Sequence, residues 1–94
     1  MKKFNLNEFI KFRLNDRGKD IFYHQYDELN KWLESNGAKP LERLFPAVDE
    51  DGYTEFQLWH FMNIYGPHMA NGAPAFWEDA NIYIKDEDLK NVEE

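Results

Sequence analysis

Three histidines, His24, His60 and His68, are the side chains of this sequence with the widest chemical range. None belongs to the HExxH spacing of a helical zinc site, and no acidic residue stands at a spacing that would complete one. His24 follows Asp20 by four residues, which predicts an exposed pair on one face of a helix. A small hydrolase or a metal-dependent enzyme that uses His60 and His68 is therefore only a third hypothesis, behind a binding protein and a structural or assembly protein.

Nucleophilic and acid–base catalysis have little to build on in this chain. There is no cysteine, and the one serine, Ser35, stands at a predicted helix end without candidate triad partners. No glycine-rich phosphate loop is present, and paired carboxylates occur only in runs that are expected to face solvent. We predict that the protein is not an enzyme, with no catalytic residue and no cofactor.

The acidic turn at Asp49, Asp51 and Gly52 invites comparison with a calcium loop, because an EF-hand loop begins with carboxylates and has glycine at its sixth position. With Gly52 at that position, Ala47 is first and Leu58 twelfth, so two obligatory oxygen ligands are missing. We interpret the turn as an anionic cluster at a helix start, and we predict no metal site.

Charge is divided unevenly along the 94 residues, whose formal net charge is −7. Residues 1–48 hold nine Lys or Arg and seven Asp or Glu, a balance of +2, whereas residues 49–94 hold two and eleven, a balance of −9. An acidic half of this density repels nucleic acid and anionic membranes and attracts a basic protein surface. The alternative interpretation is a solvated surface that keeps a small protein soluble.

We therefore predict a protein partner, with no direct binding of nucleic acid or membrane. In this hypothesis exposed carboxylates steer association, and one or two aromatic side chains supply the affinity. The candidate partner-binding residues are Asp49, Glu50, Asp51, Glu55, Phe76, Trp77, Glu78, Asp79, Asp86, Glu87 and Asp88.

The lack of cysteine also bears on location, because disulfide-free chains are typical of reducing compartments. No apolar run approaches the roughly 18 residues of a spanning helix, and the N-terminus lacks the apolar centre of a signal peptide. These features favour the cytoplasm.

The elements that must position these residues begin with the alternating stretch 8–14, in which Ile10 and Phe12 face one way. This period of two predicts a half-buried strand. Residues 16–35 then predict one long helix that ends before Gly37. Its apolar stripe, at helical spacing, consists of Phe22, Tyr26, Leu29 and Leu33, widened by Ile21 and Trp32. A connector follows over 38–53, with apolar side chains available to pack beneath it: Leu41, Leu44 and Phe45.

The middle of the chain has a complete helix start, body and stop. Thr54 and Gln57 have the spacing of a capping box, and Gly66 followed by Pro67 is typical of a helix end, with Gly66 in the left-handed conformation. We predict a helix over 55–65, apolar nearly all round and therefore buried as the central element of the core. The alternative is that one apolar face of this helix is kept for a partner.

The last third of the chain changes character twice. Residues 67–80 are too rich in Gly, Pro and Asn to be regular, yet Phe76 and Trp77 favour a loop folded across a core edge over a binding loop. Residues 81–85 alternate and predict a second strand, and residues 86–94 predict a charged tail or a short helix.

Together these elements predict a single small globular domain over residues 1–94. Its class is α+β, with two helices packed on a small two- or three-stranded sheet in the order β-α-α-β. Two short strands cannot stand alone, so we expect them to pair, and we favour antiparallel pairing.

Two stretches, IKFRLNDRGKDIFYHQYDELN and DGYTEFQLWHFMNIYG, resemble small proteins encoded by phages and prophages of Gram-positive bacteria. That group has no catalytic motif, so the resemblance assigns no role to any residue. It implies a context in which a small acidic protein binds and inhibits a host component. Anti-CRISPR and anti-restriction proteins are of this type, and several present carboxylates to a groove built for phosphates.

The leading functional hypothesis is a non-enzymatic, phage-derived protein-binding module in the cytoplasm of a bacterial host. Its partner would be a host or phage protein, and it would inhibit a nucleic-acid-handling defence enzyme through acidic mimicry. The alternative is a structural or assembly protein that forms a homo-oligomer, for instance a homodimer, through exposed aromatic surface on the central helix.

Overall fold

The computed structural model consists of short strands and short helices, and it describes residues 1–70 and 72–92. The elements in chain order are β1 (Lys2–Lys3), β2 (Phe9–Phe12), α1 (Asp16–Tyr23), α2 (Asp27–Ser35), β3 (Thr54–Gln57), α3 (Leu58–Tyr65) and β4 (Lys90–Asn91), with 3-10 helices at Gly66–His68 and Asp86–Asp88. The predicted α+β class is confirmed. The order of elements is β-β-α-α-β-α-β, because additional strands form and the first predicted helix divides.

Strand β2 supplies the core through alternate residues, as its sequence predicts. Ile10 and Phe12 are fully buried, and Leu14 just beyond the strand is nearly so. Lys11 and Arg13 lie on the opposite face and are only partly covered. The half-buried strand is therefore confirmed, although the regular part is shorter than 8–14.

The central segment begins as a strand, so the helix predicted from residue 55 is wrong in its first turn. Strand β3 pairs antiparallel with β2, and Phe56 lies opposite Ile10. The N-cap of α3 is Gln57, which makes no side-chain capping bond, so the predicted capping box with Thr54 does not form. The alternating residues of this segment gain a ladder of hydrogen bonds and burial beside β2, which a capping box cannot match.

Backbone carbonyls replace the capping box at the start of α3. The Leu58 N–H donates to the Glu8 carbonyl at 3.0 Å, and the Trp59 N–H donates to the Leu6 carbonyl at 3.1 Å. These bonds satisfy two of the amides that a helix start leaves without partners. At the other end Gly66 is right-handed, with φ of −51°, so its predicted left-handed conformation is wrong and the chain continues into a 3-10 turn.

Helix α3 is buried on one side only. Phe61, Ile64 and Tyr65 are buried, whereas Trp59 and Met62 are almost half exposed. The prediction of a core helix holds for the first group and is wrong for the second. The buried side packs with the β2 residues in a single core, whose buried apolar members are Ile10, Phe12, Leu14, Phe61, Ile64, Tyr65 and Phe76.

The helix predicted over 16–35 is broken at residues 24–26. In α1, Ile21 and Phe22 pack against the core, as the apolar stripe predicts. In α2, Leu29 and Trp32 are exposed, so burial of the stripe is wrong for this half. The break turns α2 away from the core, and α2 packs closely against no other helix or strand of the described chain.

The predicted second strand is reduced to a bridge on the free edge of β2. Lys11 and Tyr83 exchange both backbone hydrogen bonds, at 2.9 and 2.8 Å, in antiparallel geometry. A second bridge pairs Leu14 with Trp77. The segment 76–84 therefore covers this edge without forming a regular strand, and the expected antiparallel direction is confirmed.

The charged C-terminal segment packs beside the N-terminal strand. Asp86–Asp88 form a 3-10 turn, which agrees with a short helix, but β4 then pairs antiparallel with β1 instead of remaining a tail. The last two residues of the predicted tail, 93–94, and residue 71 of the predicted loop lie outside the described residues.

The molecule is elongated. Its Cα radius of gyration is 16.1 Å and its principal extents are 54 × 31 × 28 Å, whereas a compact chain of this length has a radius near 12 Å.

Candidate functional site

The largest concentration of exposed apolar side chains lies on α2 and the segment that follows it. Residues 26–48, called the arm below, carry seven large apolar side chains that remain between 39% and 61% exposed: Tyr26, Leu29, Trp32, Leu41, Leu44, Phe45 and Val48. At about 150 to 250 Å² for a large side chain, these fractions correspond to roughly 600 Å² of exposed area. The largest apolar patch on a typical monomer is about 300 to 600 Å² and is often functional, so the arm is the main candidate for a binding surface.

A buried asparagine holds the two halves of the arm together. Asn30 is 1% exposed, its Nδ2 donates to the Leu41 carbonyl at 3.2 Å, and its Oδ1 accepts the Leu41 N–H at 2.7 Å. The ring of Phe45 stacks on Tyr23 of α1 with centroids 4.6 Å apart. These contacts fix the extended segment beside α2 and leave its outer side chains uncovered.

Asp27 ties the base of the arm to the turn between α1 and α2. Its Oδ1 accepts Arg43 Nε at 2.9 Å, and its Oδ2 lies 2.9 Å from His24 Nδ1. Arg43 holds the pKa of the Asp27 carboxyl below its usual value, with a further lowering by His24. The predicted pairing of His24 with Asp20 is therefore replaced, because the break in the helix brings Asp27 to the imidazole.

On the outer face of the sheet, the acidic turn at residues 49–55 lies close to the acidic residue Asp79. The rings of Tyr53 and Tyr83 meet edge to face at 5.2 Å, and the Tyr83 hydroxyl donates to the Asp79 carboxylate. That bond holds the pKa of Asp79 below its usual value and raises the pKa of Tyr83. Asp79 is thus linked to residues 49–55 through Tyr83 and Tyr53.

Two basic side chains lie between these acidic stretches. Lys11 Nζ is 3.5 Å from Asp49 Oδ2, and the Arg13 guanidinium carbon is 4.3 Å from the centroid of the Tyr53 ring. A cation over an aromatic ring is attracted by its negative face. The face is therefore mixed in sign, although the sequence places the basic residues in the other half of the chain.

Asp49 has a structural role within the predicted acidic patch. Its Oδ1 accepts the N–H groups of Tyr53 at 2.8 Å and Asp51 at 2.9 Å, and these bonds, that of Tyr53 first, hold its pKa below the usual value. Glu50 and Glu55 are exposed, as is the Asp51 side chain. These three carboxylates remain available for the steering role that the sequence predicts.

The two aromatic candidates, Phe76 and Trp77, differ in their exposure. Phe76 is 3% exposed and stacks on Tyr65 with centroids 4.8 Å apart, which leaves almost none of its ring accessible to a partner. Trp77 is half-buried and stacks on Phe61 at 5.3 Å. Both rings cover the edge of the core, which confirms the predicted packing of this loop.

The remaining carboxylates lie apart from this face. Glu78 is exposed, and its N–H donates to the Arg13 carbonyl at 3.0 Å. Asp88 lines a cleft with Phe4 and Lys90 near the first strand, distinct from the cleft that contains the acidic turn. Asp86 and Glu87 are exposed in the same 3-10 turn as Asp88. The eleven candidate residues therefore do not share one binding surface.

The histidines are distributed between two places. His24 and His68 line an open cleft of 760 Å³ together with Arg17, whereas the His60 ring lies against the ring of Phe56, 4.6 Å away. Across residues 1–70 and 72–92, no group of three or more His, Cys, Asp or Glu side chains is placed to hold a metal ion.

Sequence reasoning missed the arm, although one signal was present. The helical spacing places Leu29 and Trp32 in a buried stripe, but the segment after α2 contains Pro40 and Pro46. Proline removes a backbone donor and interrupts both helix and ladder. No regular element close in sequence was therefore available to cover α2.

Comparisons of the chain with protein-family models, with curated proteins and with solved structures find no match. In the part of the chain that the structure describes, no helix has both the length and the apolar character needed to cross a membrane.

Proposed function

We propose that this chain is a non-enzymatic protein-binding module whose contact surface is the arm. The observation that supports it most directly is Trp32, a tryptophan that is 61% exposed and lies close to Leu29, which is 44% exposed on the same helix. Tryptophan is enriched among the few side chains that dominate binding energy at protein interfaces. Burial of this helix face therefore gives a partner a concentrated source of affinity.

The bonds within the arm support a preformed contact surface. The paired hydrogen bonds between Asn30 and Leu41 hold the extended segment beside α2 in the free protein. A surface that is ordered before association loses less conformational entropy when a partner binds. The arm then needs only modest side-chain adjustment to form its contact.

Steering by exposed carboxylates is the second part of the proposal. Glu50, Asp51 and Glu55 project from one turn and the adjoining strand, and carboxylates at the rim of an interface mainly affect the association rate. Replacing Glu50 and Asp51 by their amides should slow association and flatten its salt dependence. Asp49 is left in place because it closes the turn.

Inhibition of a host nucleic-acid-handling enzyme by acidic mimicry is a narrower candidate. It is supported by the balance of −9 over residues 49–94 and by the resemblance to phage-encoded proteins. Lys11 and Arg13 within the sheet face weigh against a continuous phosphate-like surface. Competition is the test, since duplex DNA should displace the protein from such an enzyme, and a partner unaffected by excess DNA would refute mimicry.

The test of the main proposal is comparative capture from a lysate of a Gram-positive bacterium. Three immobilised proteins are compared: the wild type, Trp32→Glu, and a control, Trp59→Glu, which changes an exposed tryptophan outside the arm. We expect a protein that is retained by the wild type and the control and lost from Trp32→Glu. Equal retention by all three would refute the arm as the contact surface.

A further inference from the structure

We propose that the arm binds a second copy of this chain, in a two-fold dimer in which the two arms pack against each other. This inference rests on the proposed use of the arm as a contact surface. It goes further by naming the occupant, and three properties of the arm favour that occupant.

The first property is area. The arm exposes roughly 600 Å² on its large apolar side chains, and a standard interface takes about 800 Å² from each partner. Two arms in contact would therefore bury close to the amount that a stable dimer needs, once flanking polar atoms are included. A small ligand would leave most of this surface exposed.

The second property is charge. Residues 26–48 contain four acidic and three basic residues, a balance of −1, so the remainder of the chain carries −6 of the total −7. Two acidic bodies repel each other, but this repulsion falls off over a screening length of about 8 Å at physiological salt. Helix α2 alone is about 13 Å long, so contact through the arms keeps the acidic bodies apart.

The third property is the self-complementarity of the arm surface. A two-fold interface brings the same patch from both copies together, so each must complement its own copy. Leu29 and Trp32 are three residues apart on α2 and adjacent on its surface, forming an apolar ridge that can pack beside the ridge of another helix. A nearly neutral apolar surface meets these conditions, whereas a surface of one charge sign does not.

The alternative contact for the arm is a second, smaller apolar patch that lies outside the arm on another copy of the chain. It consists of Leu6, Phe9, Trp59 and Met62, all exposed by 45% or more. An arm bound to this patch would form a head-to-tail contact, which continues from copy to copy unless the rotation closes a ring. The two arrangements therefore differ in the mass of the assembly and in which tryptophan they require.

The experiment is analytical ultracentrifugation of the whole chain between 1 and 200 μM, with far-UV circular dichroism to confirm folding. The wild type should rise from 11.3 kDa towards twice that mass as the concentration increases. Trp32→Glu, and independently Leu44→Glu on the other half of the arm, should weaken the dimer about 100-fold or more, because each change occurs twice in the interface. Trp59→Glu should dimerise as the wild type does.

Three results would overturn the dimer: a wild type that stays at 11.3 kDa throughout, a mass that continues beyond two copies, or loss of association in Trp59→Glu with Trp32→Glu unaffected. The capture experiment separates this failure from that of the proposed function. A monomeric wild type that retains another protein only through Trp32 refutes the dimer and leaves the binding arm in place. If Trp32→Glu alters neither association nor capture, both proposals are wrong.

Discussion

For the substitution Gly18→Ala, the packing in the structure predicts a loss of stability, whereas helix propensity predicts a gain. It lies in the first turn of α1, is buried, and an added Cβ would stand 2.1 Å from the Phe76 carbonyl oxygen and 2.8 Å from Leu14 Cδ2. The Phe76 carbonyl is fixed, because it accepts the Asn15 N–H at 3.1 Å within the core-edge bridge. Gly18→Ala therefore requires α1 and this bridge to separate.

The size of the effect follows from the geometry. Real Cβ atoms essentially never approach another heavy atom within 3.0 Å, so the gap at the Phe76 oxygen must widen by at least about 0.9 Å. Overpacking of this kind costs about 1 to 3 kcal/mol, which exceeds the gain of at most about 1 kcal/mol from replacing glycine by alanine in a helix. Because the obstructing atom is a fixed backbone carbonyl, a cost of about 2 to 3 kcal/mol applies. Less the helix gain, the net loss is about 1 to 2 kcal/mol, or roughly 5 to 15 °C in Tm for a domain of this size.

The assay is thermal and urea unfolding followed by circular dichroism, with Asp20→Ala as the matched control. Asp20 is exposed in the same helix, so its replacement by alanine removes no core packing. The control should therefore remain within about 0.5 kcal/mol of the wild type. A Gly18→Ala protein as stable as the wild type would refute the close packing of α1 against Phe76.

Three further changes test single contacts by the same unfolding measurements. Tyr65→Phe removes the buried hydroxyl that donates to the Gly18 carbonyl at 2.9 Å and should lower the free energy of unfolding by about 1 to 3 kcal/mol. Thr54→Val should raise it by up to about 1 kcal/mol, because the buried Thr54 hydroxyl has no hydrogen-bond partner among the described residues. Because Arg43 lowers the folded pKa of Asp27 below its ordinary 3.8, Asp27 stabilises the fold above that pH and loses its effect as pH falls through the folded pKa. Asp27→Asn should accordingly be less sensitive to acid than the wild type below about pH 4, and identical acid profiles would refute the contribution of this contact.

The parts of the fold that depend on local pattern could be predicted from the sequence. Strand β2 is the best case, because alternation alone identifies Ile10, Phe12 and Leu14 as the buried set. The loop with Phe76 and Trp77 is a second, since two large aromatic rings in an irregular segment require cover from the core. In both cases the burial of a side chain follows from its own type and spacing.

The start of α3 could not be predicted in this way, because the same residues satisfy two patterns. Thr54 and Gln57 have the spacing of a capping box, and residues 54–57 also alternate as a strand does. Residues 54–57 form a strand because they pair with β2, which lies more than 40 residues earlier in the chain and provides hydrogen-bonding partners from Phe9 to Phe12. Pairing between distant segments is information that a local pattern does not contain.

The candidate binding surface was harder still to predict, because its identity depends on the break between α1 and α2. An unbroken helix would carry Leu29 and Trp32 onto the core with Ile21 and Phe22, and the sequence pattern permits this. The helix instead breaks at residues 24–26, and the contacts of Asp27 with His24 and Arg43 accompany the new direction of α2. The apolar stripe is therefore exposed in α2, and neither the break nor these contacts has a strong sequence signature.

The same contacts connect the stability of the arm to its proposed use. Helix α2 has nine residues, whereas isolated helices shorter than about 12 to 15 residues are marginal in water. Its order in the free protein must therefore come from Asn30, from the Asp27 contacts and from the stacking of Phe45 on Tyr23. A partner that covers Trp32 adds apolar burial to this small set of bonds, and binding to the folded form alone raises stability by mass action. If that partner is a second copy, the Tm of the wild type must rise with protein concentration, while the Tm of Trp32→Glu must not.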